Sequence, residues 1–596
     1  MRFPNKWKFG FFLFFLTILI FFPTLRNGFT NWDDPLYVLE NELLMSFSPE
    51  NIGKIFSTFL ANHYHPLTVI TYLFEYTLAG PNPFIFHFTS LLLHAFNAML
   101  LFLMFHRLGK TVILAFFTAL LFAVHPIHVE SVSWVSGRKD LLYASFYLLG
   151  LITYLRYLDY GFSRREYLLS LGLFLCSCLS KVMAISFPVM ILLFDFQRKR
   201  KLSFQLVIEK VPFFCFSILF VVIGLTGQKN LVVPIEKIDP LNIFLYVCFE
   251  LRFYLEKLFF PLNLSAVYPW PEPEGNFLLP EYYLNPVLLI LAGTGCTIIK
   301  AFRGKAFFGI LFGLICIFPT LQINSKGYSF ASDRYLYLAS AGFFYTLAEA
   351  VFFFYRKFLP VPKKKKVLFA IFLIPLFFFS VISWERCKVW KNTSTLFNNV
   401  LEQFPRELFS RHNLVYFYMD SGNFQEARRH AEIGLGIKPS STSLRNALAR
   451  SFLLENRPDQ AIESLKASLS LNPDNDVTHS MLGHAFFLSG NTDSAIGELE
   501  TARKLNPLNF LALLNLGIAY EKKGNIVQAE KSYLESISAN PVNFKGYSNL
   551  AVLYWKNKDF EKAEKSFRKA GEIDPENPWL KETFANFLRE TGKSLR

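Results

Sequence analysis

Apolar residues dominate the first two thirds of the chain in runs separated by short loops; from about Glu385 the background turns polar, with Ala and Leu recurring at helical spacing. Judged against the ~20 apolar residues that cross a bilayer, the runs predict spans near 9–25, 84–106, 111–126, 140–158, 166–180, 182–196, 211–226, 284–300, 306–322, 334–356 and 367–384. The pair flanking "LSKVMAISFP" reads either as two short spans or as one broken helix. Segment 243–260 carries Glu250, Arg252, Glu256 and Lys257 and is read as an interfacial or re-entrant helix. That choice gathers the basic clusters at 106–110, 164–165, 198–201, 300–305 and 363–366 on one side, as the positive-inside tendency requires. About eleven crossings result. An odd number places the loop after Phe29, the loop "HPIHVESVSWVSGRKD", the loops "YPWPEPEG" and "NSKGYSFASDRYLY", and the polar C-terminal region on the non-cytoplasmic face. Arg2, Lys6 and Lys8 precede the first run and no small-residue cleavage pattern follows it, so an uncleaved first span is expected.

The polar region has a period. Pro405, Pro439, Pro473, Pro507, Pro541 and Pro575 recur every 34 residues, and so do Leu414, Leu448, Leu482, Leu516 and Leu550. Ala427, Ala461, Ala495, Ala529 and Ala563 keep the same step, as does a small-residue column of Gly434, Ser468, Ala502, Ser536 and Ala570. Agreement of independent columns over five repeats resembles the tetratricopeptide repeat. Small residues let two helices approach, Gly422, Gly490 and Gly524 supply the turn, and the prolines end the second helix. Stacking buries what no single repeat can bury, and the groove it makes suits peptides or partner proteins.

Composition sharpens this picture. The chain has 596 residues, 52% of them hydrophobic, and 70 Phe, which excludes an ordinary soluble protein for the first two thirds. The net charge of +15 is concentrated in inter-span loops and reads as a topology signal, with no basic groove for nucleic acid. Six of the seven Cys lie in or beside apolar segments, which indicates neither a disulfide framework nor a zinc site.

Within the loops, "WDDPLY" by itself reads as a helix start, with Asp34 as N-cap, Pro35 at the first helical position and Asp33 solvated. Its setting beside a membrane, on the same predicted face as Arg, Lys and His from other loops, suits a charged lipid head group. His63, His65, His87, His94, His125 and His128 have loop spacing or lie on one helical face, so no metal site is expected. "NLS" at Asn263 and "NTS" at Asn392 are sequons.

The succession "NGFTNWDD", "HYHPLT", "FHFTSLLLHAFNAMLL", "FAVHPIHVESVSWVSGRKDLL", "CLSKVMAISFPVMILLFD" and "DRYLYLAS", followed by the repeats, resembles the transmembrane and tetratricopeptide-repeat-containing O-mannosyltransferase family over nearly the whole chain. The resemblance implies an all-α architecture: a multispanning glycosyltransferase domain of the C-type fold at 1–384, a connector at 385–404, about five repeats at 405–577, and a capping helix at 578–596. It also implies transfer of a sugar, mannose by resemblance, from a polyprenyl phosphate to Ser or Thr hydroxyls of a protein that the repeats recruit. No cofactor is expected beyond the lipid-linked donor, with a divalent metal left open.

In that reading Asp33 and Asp34, unranked, supply the base for the acceptor hydroxyl. Arg138, Lys139, Lys181 and Arg334 hold the donor phosphate, Arg being suited to bind two oxygens at once. His65, His128 and Glu130 are candidate sugar or phosphate contacts. The bland readings are membrane-surface packing for Arg138 and Lys139 and a local ion pair for Asp333 with Arg334. A bacterial inner membrane with the repeats in the periplasm is expected, with an endoplasmic reticulum membrane and lumenal repeats as the alternative. The rival functions are a membrane-anchored repeat scaffold and a transporter of lipid-linked sugars.

Overall fold

The computed structural model describes residues 5–227, 240–271, 280–298, 300–321, 329–358 and 365–592. The protein is all-α and divides into two compact units, Met1–Glu407 and Leu408–Arg596. The four predicted basic loop residues at 363–366 and parts of the "YPWPEPEG" and "NSKGYSFASDRYLY" loops lie wholly or partly outside the described residues.

The first unit contains α1 (Asn5–Phe21), α2 (Pro49–Ser57), α3 (Pro66–Ala79), α4 (Pro83–Arg107), α5 (Val112–Val124), α6 (Val129–Ser133), α7 (Arg138–Asp159) and α8 (Arg164–Ser180). It continues with α9 (Phe187–Gln197), α10 (Phe204–Gly227), α11 (Pro240–Phe259), α12 (Pro280–Ile298), α13 (Lys300–Ile317), α14 (Ser340–Phe358), α15 (Lys365–Val389) and α16 (Thr393–Gln403). Among the described residues, Trp7–Arg26, Pro83–Arg107, Val135–Asp159 and Phe204–Gly227 are long and apolar enough to cross a membrane. The run α5 with Pro126–Ser133 is a fifth if its 53° bend lies within one span. Phe15 and Leu19 on α1 and Ile218 on α10 are each more than 60% exposed, an outward apolar face that hydrocarbon solvates and water does not. The chain is an integral membrane protein.

Two sequence expectations are refined. The apolar stretch around Lys181 is interrupted: α8 ends at Ser180, Lys181 is extended, and the short turn Val182–Ser186 leads into α9. Segment 243–260 forms most of α11, which runs unbroken for 20 residues.

The segment read as a connector is built into the first unit. α15 continues to Val389, and the Asn27 amide donates to the Cys387 carbonyl (3.0 Å). Gly28 N–H donates to the Lys391 carbonyl (2.8 Å) and Asn31 N–H to Thr393 Oγ1 (2.9 Å). Residues 387–393 therefore strap the loop that follows α1.

The second unit pairs α17 (Leu408–Asp420) with α18 (Phe424–Ile437), α19 (Thr442–Leu454) with α20 (Pro458–Leu469), and α21 (Asp476–Leu488) with α22 (Thr492–Leu505). The series ends with α23 (Phe510–Lys522) and α24 (Ile526–Ala539), α25 (Phe544–Lys556) and α26 (Phe560–Ile573), and a last helix, α27 (Pro578–Thr591). The alanines at 427, 461, 495, 529 and 563 are fully buried where the helices of each pair meet. Gly434 packs against the next pair: a Cβ there would come within 2.6 Å of Leu444 on α19. The turn between paired helices is left-handed in every repeat, at Gly422, Asn456, Gly490, Gly524 and Lys558. Asn423, Asn491, Asn525 and Asp559 follow that turn and cap the next helix through their side chains.

Candidate functional site

The site is assembled around the turn joining α6 to α7. "SVSWVSGRKD" can turn this tightly because position 137 is glycine: a Cβ there would sit 3.0 Å from the Ser131 carbonyl oxygen and 3.1 Å from that of Glu130. The residues leaving the turn then point to different neighbours.

Ser136 holds the acidic loop. Its N–H and hydroxyl donate to Asp34 Oδ1 (3.1 and 2.6 Å), while the N–H and hydroxyl of Thr30 donate to Oδ2 (2.9 and 3.0 Å). Asp34 is 1% exposed, and burial pushes its carboxyl up against the opposing pull of those hydrogen bonds. It therefore fastens the loop to the α6–α7 turn across 102 residues of sequence. Two expectations change. Asp34 does not cap the helical turn Pro35–Leu39 with its side chain, and it is not solvent-facing like Asp33, both of its oxygens accepting hydrogen bonds from within the fold.

Asp33 is the open carboxylate. Its side chain is 31% exposed and its Oδ2 lies 3.9 Å from Lys139 Nζ. Lys139 also donates to the Tyr37 hydroxyl (3.5 Å) and sits 4.8 Å above the Tyr37 ring and 5.5 Å from that of Trp134. The next residue, Asp140, receives Lys181 Nζ at 2.5 Å. Arg334 is held by Glu130 at two points, its N–H to Oε2 (3.0 Å) and its guanidinium to Oε1. Tyr335 lies between the last two cations, 5.5 Å from Lys181 and 5.0 Å from Arg334. Lys139, Lys181 and Arg334 thus stand in one cluster with Asp33, Asp140 and Glu130, and all three cations act on His63, whose side chain is exposed.

An aromatic stack backs the cluster. Trp32 stacks on Trp134 with ring centres 4.7 Å apart, and Trp390 lies 6.0 Å from Trp134 and nearly parallel to Trp32. The Arg334 guanidinium is 5.3 Å from the Trp134 ring and 6.0 Å from that of Trp32. Trp32, Asp33, Lys181, Arg334 and Tyr335 are all partly exposed, so the face of the cluster is open.

Other candidates are placed elsewhere. Arg138 is fully buried and donates to Glu75 (2.5 Å), the Phe86 carbonyl (2.5 Å), Ser90 and Thr71. It rivets α7 to α3 and α4, and its donors are consumed there rather than offered to a phosphate. His128 is fully buried among Phe122, Tyr337 and Phe344, with Nε2 3.4 Å from the Ser340 hydroxyl, so it lines the core and not the open face. His65 does lie at the cluster, against Tyr37 and 3% exposed; burial and then Lys139 hold its imidazole well below the usual histidine range. Glu130 is 2% exposed and acts through Arg334. Asp333 turns from Arg334 to Tyr268, whose hydroxyl donates to it at 2.9 Å, and burial with the nearby Glu130 carboxylate pushes it up to about 7. Among the described residues, no group of three or more His, Cys, Asp or Glu is arranged to hold a metal ion.

Sequence reasoning passed over Trp32, Trp134, Trp390, Tyr37, Tyr335 and Asp140. One signal was present: Trp32 and Trp134 stand within the same two motifs that supply Asp33 and Lys139.

The fold and this cluster define a class, an all-α membrane protein with a polar, partly exposed centre and a tetratricopeptide-repeat solenoid. The tetratricopeptide-repeat family matches residues 414–476, 480–544 and 544–577. The chain is 26% identical to the human protein O-mannosyl-transferase TMTC1 over 65% of its own length and 49% of that protein. It is 26% identical to the Caenorhabditis elegans protein O-mannosyl-transferase F38B6.6 over 70% of its length and 59% of that protein. With mouse TMTC1 identity rises to 39%, over 19% of this chain and 13% of that one. The chain spans about half the length of the curated relatives it matches most extensively. Among solved structures, a thermophilic tetratricopeptide-repeat protein of Thermus thermophilus is 22% identical, with a TM-score of 0.29 over 30% of this chain and 98% of that one. The chain is TMTC-like.

Proposed function

We propose that this chain is a protein O-mannosyltransferase that moves mannose from a polyprenyl-phosphate donor to Ser or Thr hydroxyls. The names of its curated relatives support the activity. The observation that carries the reading is Asp33, a partly exposed carboxylate beside Lys139 in a cluster shared with Lys181 and Arg334. Asp33 takes the proton of the acceptor hydroxyl as its oxygen bonds to the anomeric carbon. The bond from that carbon to the phosphate oxygen breaks with the electron pair left on oxygen, and the cations hold the departing lipid phosphate, which carries one more negative charge than it did in the donor. Asp34 positions Asp33 by fixing the loop, Glu130 and Asp140 position Arg334 and Lys181, and the Trp32 face offers the sugar or prenyl chain a flat apolar surface. The repeat unit recruits the acceptor protein. The cluster and the repeats face the non-cytoplasmic side, in a bacterial inner membrane by preference over the endoplasmic reticulum.

The test is transfer of labelled mannose from mannosyl polyprenyl phosphate to Ser/Thr peptides by the purified full chain. Asp33→Asn should lose roughly 10²- to 10⁴-fold in rate, the range for a removed general base. Undiminished transfer in that variant rules out Asp33 as the base, and absence of transfer in the wild type with lipid-sugar translocation present favours a transporter.

A further inference from the structure

The inner side of the solenoid changes chemistry from one repeat to the next. The first helices of successive pairs pack on one another, α17 on α19, α19 on α21, α21 on α23 and α23 on α25, while the second helices of neighbouring pairs stand farther apart. The first helices therefore form the inner face of the curve. Asn446 on α19 ties two of them by donating to Thr478 Oγ1 on α21 (2.8 Å). One column of the 34-residue period, Tyr416, Arg450, His484, Ile518 and Val552, occupies the equivalent position of each first helix. It is aromatic and basic in the first three repeats and aliphatic in the last two. Arg450 is exposed and the other four are half-buried.

Arg450 is the charged member of this column. Its guanidinium stands 5.5 Å from the centre of the Tyr416 ring, and His412 meets the same ring edge-on at 4.8 Å. Burial holds the His412 imidazole below the usual histidine range, so the array carries its charge on the arginine. Nearby arginines are committed elsewhere: Arg428 and Arg457 share Glu455, and Arg503 meets Glu500 and Glu535. Among the described residues Arg450 has no carboxylate partner, and Asp420, whose field also reaches Tyr416, makes no ion pair with it. An aromatic face orients a guanidinium but leaves its in-plane donors unspent, and that fork matches a carboxylate.

Resting on the reading of the repeat unit as the arm that recruits the acceptor, we propose that its inner face takes an extended acceptor segment bearing a carboxylate for Arg450 and aliphatic side chains for Ile518 and Val552. Ile518 on α23 lies two first helices beyond Arg450 on α19, and Val552 on α25 lies three beyond it. Packed helices are about 8–10 Å apart, and an extended chain advances about 3.3 Å per residue. The first aliphatic side chain of the segment therefore falls about five or six residues from the acid, and the second about seven to nine. Acceptors are then Ser/Thr segments with an acidic end and an apolar end, not unfolded chains at large.

The probe is a rhodamine-labelled, C-terminally amidated peptide, Asp-Thr-Ser-Gly-Pro-Leu-Thr-Ser-Leu, followed by fluorescence anisotropy with the full chain in detergent at about pH 8, where histidine is neutral. It is compared with a peptide carrying Asn for Asp and with a permuted peptide that sets Asp between the leucines. Wild type should bind the Asp peptide roughly two- to five-fold more tightly than the Asn peptide, and the permuted peptide no better than the Asn peptide. Arg450→Gln should bind the Asp and Asn peptides alike. Arg450→Lys should keep part of the preference, since it retains the charge and loses the planar fork. Equal binding of the Asp and Asn peptides by the wild type overturns the proposal, as does permuted binding equal to that of the ordered peptide. A preference that survives Arg450→Gln, or that vanishes in Lys545→Gln, where an exposed lysine of α25 is removed, overturns it too. If no peptide binds the wild type, the recruitment reading falls with it. Preference for the Asp peptide without mannose transfer leaves the selectivity standing and removes only the assigned reaction.

Discussion

The repeat unit and the polar centre of the membrane unit solve opposite problems. In the solenoid each contact recurs: an alanine at 427, 461, 495, 529 and 563 is buried against the neighbouring helix, and the left-handed turn recurs at 422, 456, 490, 524 and 558. No single position there is indispensable, because the same small burial is repeated along the stack. In the centre every contact is unique and joins distant segments: Asp34 to Ser136, Arg138 to Glu75, Lys181 to Asp140, Arg334 to Glu130. Charges there are buried in pairs, so removal of one partner is costly. The contrast teaches that sensitivity to substitution should be sharp in the centre and graded in the arm.

The largest effect should come from Arg138→Met, which leaves Glu75 buried without its cation and should cost about 3–5 kcal/mol. Thermal unfolding of the purified chain measures it, and adding Glu75→Leu should recover much of the loss; a double variant as unstable as the single one would show that the pair is not the cause. Next, Asp34→Asn should cost about 1–3 kcal/mol by leaving Thr30 or Ser136 donors unmatched. The adjacent Asp33→Asn should cost less, about 0–1 kcal/mol, because its carboxylate is partly exposed and stands 3.9 Å from Lys139. Equal melting temperatures for the two asparagine variants would erase the distinction between fastener and open carboxylate. In the arm, Ala529→Leu overfills a fully buried position beside Tyr533 and Leu550, and should cost about 1–3 kcal/mol. Smallest of all, Lys558→Gly should stabilise the arm by about 1 kcal/mol, because Lys558 occupies φ +63° where glycine is unstrained. A neutral or destabilising result in chemical denaturation would show that the lysine side chain compensates.

The same contrast explains what could be read before the structure. The arm was legible because its rule is local and periodic: four columns at one spacing fix helix pairs, turns and packing together. Even there, the left-handed positions filled by Asn456 and Lys558 were missed, since only glycine announces such a conformation by residue type. In the centre, residue types were legible and partners were not. The acidic pair stood out beside a membrane run, yet nothing in "WDD" says that the second aspartate meets a serine 102 residues away. Arg138 and Lys139 are neighbours in sequence, and the helix turns one inward to Glu75 and the other toward Asp33. A clue existed for the first of these, because Glu75 interrupts the apolar helix "PLTVITYLFEYTLA" and a carboxylate there requires a cation. His128 was misplaced because a "HPIH" loop bends back into the core beneath Tyr337.

Residues 387–393 bear on how the molecule can be divided. The last apolar run ends near Trp384, which makes it the natural place to cut if the membrane half is to be produced alone. That cut would discard the third indole of the stack at Trp390 and the Lys391 and Thr393 tethers on the acidic loop. A fragment ending at Glu407, where the compact unit closes, keeps them. A shorter piece that proved inert would reveal a missing wall, not a reaction that depends on the repeats.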